Sequence, residues 1–154
     1  MSQELDYSAL KERMEKIAAV KPRIPGMKQA ILDELGPRML SEVRSHTDSS
    51  GKVASWQNNY QGSRHGYSAV RAAVANTWSP KGKSYAVGYV TNAIENGHRV
   101  RGPSGQDKRY RYRGRGLSRV PGKGFYKASR AAVDAMQSAA VAQLAEELAK
   151  ALEE

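Results

Sequence analysis

The sequence predicts an α+β protein: a small antiparallel β-sheet packed against helices, with an N-terminal helical region and a long C-terminal helix. Three observations carry this. Apolar residues recur every three to four positions at both ends of the chain. In the middle the period falls to two. Turn-forming clusters rich in Gly, Pro, Ser and Asn separate these segments.

Residues 5 to 20 read as a short amphipathic helix, with Leu10, Met14 and Ile17 at i, i+4 and i+7. Pro22 and Pro25 end it. A second helix follows in "PGMKQAILDELGPRMLSEVRSH", where Met27, Ile31, Leu35, Met39 and Val43 make one stripe. Gly36-Pro37 lies inside it. Proline lacks a donor and clashes with the preceding turn, so a kink or break is expected there.

"HTDSSGKVAS" reads as a loop. Between Ser55 and Asn76, "SWQNNYQ", "GSRHG" and "YSAVRAAVAN" read as strand, turn and strand, with Val70, Ala72 and Val74 alternating with Arg71, Ala73 and Ala75. After the turn "SPKGK", the segment "SYAVGYVTNAIENGH" reads as a helix. Ser84 is the expected cap, Ala86, Tyr89, Val90, Ala93 and Ile94 the expected face, and Gly97 the terminating glycine. The last segment, "GFYKASRAAVDAMQSAAVAQLAEELAKALEE", is a long helix with the stripe Val133, Met136, Ala140, Leu144 and Leu148. Much of the apolar content is Ala, which packs thinly in a monomer. The stripes of the second and last helices are therefore expected to be shared between core and subunit interface.

The chain has 154 residues, enough for a single domain with a core, here taken as 1–154. It has no cysteine, which excludes disulfides and Cys-based zinc sites. The N-terminus is polar and acidic, without an apolar signal core, and no apolar run approaches the roughly 20 residues of a membrane span. A soluble protein made in the cytoplasm is expected, with no membrane partner.

Charge is the distinctive feature. The net charge is +10, and from residue 99 to residue 127 ten Lys or Arg residues stand against one acid, Asp107. Such a balance points to a polyanion, nucleic acid above all, or to a highly charged protein surface. The basic run at about 99–123 is expected to be an extended loop or β-arm carrying Arg101, Lys108, Arg109, Arg111, Arg113, Arg115 and Arg119. Burying seven such groups together would cost several kcal/mol each in desolvation and repulsion. They must face water, phosphate, or carboxylates of another chain. Tyr110 and Tyr112 alternate with arginines, so an extended ribbon would carry aromatics on one face and cations on the other. It could stack on bases, track phosphates or pair with a neighbouring chain. It could equally be a charged loop that orders only on assembly. From Asp134 to Glu154 five acids face one Lys, a net of −4.

Signatures of catalysis are absent from the sequence. "GPSGQDK" lacks the spacing of a phosphate loop, and Glu95 and Asp107 are not an evident acid pair. His46, His65 and His98 are scattered among loop residues, the ordinary pattern of solvated histidines. No nucleophile has a local signature. The expectation is a non-enzyme without metal or cofactor. Trp56 and Trp78 read as core or strand-end packing.

The order of elements resembles the small tail-completion or neck proteins of tailed bacteriophages, also called head–tail connector or minor tail proteins. Tyr85, Ala86, Glu95 and Gly97 match that family's Tyr-Ala…Glu-x-Gly helix, and Phe125 and Ala128 match the element that opens its last helix. In "HTDSSGKVAS", Asp48 and Gly51 stand where the family has a Pro-x-Asp-Thr-Gly loop, without the proline. The resemblance spans roughly residues 28 to 152. It implies a structural virion protein, assembled in the host cytoplasm as a ring, expected to be a homohexamer, at the head–tail junction. Implied partners are head-completion or connector proteins, tail-terminator or tail-tube proteins, and double-stranded DNA in the lumen. Another connector component, such as a tail terminator or stopper, and a free basic nucleic-acid-binding protein stay open as alternatives.

Overall fold

The computed structural model describes residues 7–62, 66–99 and 119–153. It is α+β, with helices α1 (Ser8–Val20), α2 (Ile24–Ser45), α3 (Lys52–Trp56), α4 (Val87–Asn96) and α5 (Phe125–Glu153). Between them lie three antiparallel two-stranded sheets: β1 (Gln57–Gly62) with β2 (Tyr67–Ala72), β3 (Thr77–Trp78) with β4 (Tyr85–Ala86), and β5 (Gly97–Arg99) with β6 (Arg119–Pro121).

Helix α2 is central. It packs against α5, β1 and β2, and the four-residue stripe explains why: Ile31, Leu35, Met39 and Val43 are all buried, with Leu32 beside them. The inner cluster is Val43, Val53 and Phe125, surrounded by Trp56, Val70, Ile94 and Tyr126. On α5 the predicted stripe, Val133, Met136, Ala140, Leu144 and Leu148, is half-buried along its whole length. Grooves remain where it meets α2. One of about 330 Å³ has Ala140 and Leu144 opposite Ile31, Leu32 and Leu35. A second, of about 470 Å³, has Val133 beside Met39, Val43 and Val70.

Several local expectations are corrected. Helix α2 does not break at Gly36-Pro37 but continues through it. The hydrogen bond that Pro37 forfeits belongs to the carbonyl of Asp33, and both residues are exposed, so water can satisfy it. Gly36 faces the other way: a Cβ there would lie 1.9 Å from Asn59 Nδ2, so glycine leaves room for the Asn59 side chain of β1 against the helix. The segment expected as loop and strand start instead forms α3, launched from Gly51 in the left-handed region at φ 67°. Strand β2 stops at Ala72, and Val74 is 74% exposed. Ala73 N still donates to Trp56 O, one position beyond the last pair of the ladder, and Asn76 N then donates to Ala73 O at 3.3 Å, which turns the chain away.

Ser84 does not cap α4. Tyr85 and Ala86 pair with Trp78 and Thr77 as β4, and the helix starts at Val87 with no side-chain cap. Its inward face is also rotated. Val87 and Thr91 are buried, whereas Ala86 is exposed and Tyr89 is 70% exposed. The aromatic chain Trp56, Trp78 and Tyr85, with centroids 6.1 and 6.2 Å apart, packs at strand ends. No helix among the described residues is long and apolar enough to cross a membrane.

Candidate nucleic-acid interface

The root of the basic run is a hydrogen-bonded junction between the end of α4 and the start of α5. Helix α5 begins with amide groups that have no partner within the helix. The Glu95 carboxylate supplies one: it accepts from Tyr126 N at 3.1 Å and from Lys127 N at 3.2 Å. An anion at a helix N-terminus is also favoured by the helix dipole. The end of α4 is satisfied reciprocally. Ile94 O accepts from Lys123 N at 2.8 Å, and Glu95 O accepts from Gly124 N at 3.1 Å.

Two glycines permit this closeness. Gly97 has φ 76° and ψ 170°, a conformation essentially confined to glycine. A Cβ on it would lie 2.4 Å from Val120 O, and a Cβ on Gly122 would lie 2.2 Å from Glu95 O. Phe125, 2% exposed, anchors the junction in the core. Its neighbour Tyr126 donates its hydroxyl to Gln57 Oε1, a buried amide whose Nε2 donates to Val53 O.

From this junction β5 and β6 leave as a ribbon, with Gly97 opposite Pro121, His98 opposite Val120 and Arg99 opposite Arg119. The two ends of the nineteen residues between Arg99 and Arg119 are thereby held side by side. Arg99 and Arg119 share one face of the ribbon, and like charges directly opposite each other are destabilising. Arg119 Nη2 donates to Asn96 O at 3.2 Å. Lys123 and Lys127 are exposed nearby. Beside the ribbon runs an open groove of about 850 Å³ lined by Trp78, Tyr85, Tyr89, His98 and Arg99. Cations and aromatic faces together suit a polyanion with stackable bases, or an acidic protein surface.

Of the basic residues singled out from the sequence, Arg119 is exposed at the base of the ribbon. Arg101, Lys108, Arg109, Arg111, Arg113 and Arg115 lie outside the described residues. Glu95, Gly97 and Phe125 meet at the junction, and Ala128 is one turn into α5, where its N–H donates to Gly124 O. Tyr85 and Ala86 are separate from it, in β4. Sequence reasoning missed Gly122, Tyr126 and Gln57. The paired glycines of "PGKGF" signalled the first; nothing local signals a buried glutamine. Among the described residues no group of three His, Asp or Glu side chains could hold a metal. His46 contacts Glu42 at 3.0 Å, and His98 is exposed on β5.

Tyr126 makes the junction sensitive to alkali. Burial, and then the Glu95 charge, push its pKa up from 10.0 to about 12. A raised folded-state value means that the folded protein holds this proton more tightly than the unfolded chain. The associated stability is complete below pH 10 and is lost as pH rises from 10 to about 12. The difference in unfolding free energy between the parent and Tyr126→Phe is expected to be flat up to about pH 9.5 and to shrink above it. A difference that stays constant to about pH 12 rules this out.

The chain has no match to a protein-family model, to a curated protein or to a solved structure.

Proposed function

We propose that the chain is a structural, non-enzymatic protein of a tailed-bacteriophage virion, a ring-forming tail-completion or neck subunit whose basic element faces the DNA passing through the lumen. The carrying observation is the clamped ribbon, in which Arg99 and Arg119 stand opposite each other at the two ends of the most basic part of the sequence. Repulsion of that kind is relieved by a polyanion. Binding to phosphates is independent of base sequence, as a conduit requires. The resemblance supplies the virion context, and it draws on Glu95, Gly97 and Phe125, the residues that build the clamp.

The test replaces Arg109, Arg111, Arg113 and Arg115 together with Ser. The assembly state, read by native mass spectrometry, is expected to be unchanged. The salt dependence of double-stranded DNA binding should flatten by roughly one unit of slope for each phosphate that is no longer neutralised. An unaltered slope and affinity overturn the DNA-facing reading. Weakened assembly with unaltered DNA affinity would make the partner an acidic protein surface.

A further inference from the structure

Helix α1 carries an apolar seam that its own chain leaves uncovered. Leu10 and Ile17 are each 57% exposed, and Tyr7 and Met14 each 62%. Their spacing of three, four and three residues is that of the a and d positions of a coiled coil. The helix touches its own α5 elsewhere: Lys16 Nζ donates to Glu153 O at 3.3 Å, and Val20 is buried. The flanking e and g positions beside the seam include Lys11 and Arg13. Two antiparallel copies of α1 would set Lys11 against Lys11 and Arg13 against Arg13.

We propose that this seam docks on α5 of a second copy of the chain. The face of α5 turned away from the core has a matching repeat of its own. Ala131, Ala135, Ser138, Ala142, Ala145 and Ala149 recur at alternating intervals of four and three, Leu152 continues the series, and all are exposed. Acids flank it: Asp134, Glu146 and Glu153 occupy its e and g positions. Large side chains on α1 meet small ones on α5, and a basic border meets an acidic one. Glu146 already pairs with Lys150 at 2.8 Å, but both side chains are well exposed and Lys150 lies off the seam, so that pair can be exchanged. Setting the basic border on the acidic one fixes the register: in an antiparallel arrangement Met14 lies over Ala145, with Lys11 beside Glu146, and in a parallel one it lies over Ala142, with Lys11 beside Asp134 and Arg13 beside Glu146. The inference rests on the self-association in the proposed function and on nothing about DNA.

The absence of cysteine makes the contact directly testable. Met14→Cys protein is mixed with mass-tagged Ala145→Cys or Ala142→Cys protein under mild oxidation. These positions are exposed, and unchanged circular dichroism checks that each variant folds. A mixed disulfide is expected with one of the two partners, and the successful one gives the orientation. Glu12→Cys, on the far side of α1, is the control and should cross-link at least about tenfold more slowly. As a second measurement, Leu10→Glu with Ile17→Glu should weaken self-association about tenfold or more in sedimentation. Cross-linking no faster than the control, or sedimentation like the parent, overturns the proposal. If the seam fails while the arginine variant still loses DNA binding, the ring reading survives with another interface. If the seam holds and that variant binds DNA as the parent does, the DNA-facing reading fails alone.

Discussion

Phe125→Ala is expected to lower folding stability by about 3–5 kcal/mol. Phe125 is the only Phe of the chain, is 2% exposed, and sits in the inner cluster with Val43 and Val53. Its ring lies 4.5 Å from that of Tyr126. The surroundings cannot collapse into the space, because Val43 is fixed on α2 and Val53 on the short α3. Domains of this size hold about 5–15 kcal/mol in total, so one side chain supplies a large share. The check is a urea titration in which the midpoint falls while the slope stays constant. Tyr89→Ala, at a side chain 70% exposed, serves as the comparison and should change stability by no more than about 0.5 kcal/mol. Similar losses in the two variants would place the core elsewhere.

Gly97→Ala is expected to cost about 3 kcal/mol, combining a glycine-only backbone conformation with a collision against main chain. Val120 O and Gly122 N lie 2.4 and 2.7 Å from the position the new Cβ would take. Neither is the end of a flexible side chain, so β5 and β6 must separate or the end of α4 must move. Gly82→Ala measures a positive φ without a collision: its φ is 78°, and nothing lies within 4 Å of the added atom. It should cost about 1 kcal/mol. Equal losses at the two glycines would show that the close approach of strand and helix contributes nothing. Hydrogen exchange at β5 and β6 gives the location, and protection there should fall in Gly97→Ala alone.

What the sequence revealed of this fold follows from the length over which each signal repeats. The stripe Ile31, Leu35, Met39, Val43 spans more than three turns, and it is the buried face of α2. The hairpin was legible because a Gly-containing turn separates two runs with polar and apolar alternation. Helix α3 was not, because five residues are too few to show a period. The start of α4 was misplaced because Tyr85 pairs with Trp78 across a turn, a tertiary preference that overrides local helix propensity. That pairing also turns Val87 and Thr91 inward and leaves Tyr89 outside. Pro37 suggested a break, and only the structure shows that the forfeited bond lies on the wet side of the helix.

The candidate site divides the same way. Gly97 and Phe125 were recognisable by residue type and position. The role of Glu95 was not, because the amides it caps lie 31 and 32 residues further along the chain.

The pairing of Arg99 with Arg119 has a consequence for how this chain can vary. Because that pair and the junction behind it fix both ends of the intervening segment, closing the chain requires only that the segment span the distance between them. Closure entropy grows with the logarithm of segment length, and doubling the segment adds only about 0.6 kcal/mol. The junction is therefore a socket. Segments of different length, charge or sequence can be exchanged in it, so that specificity for a partner can diverge quickly on a scaffold that stays the same.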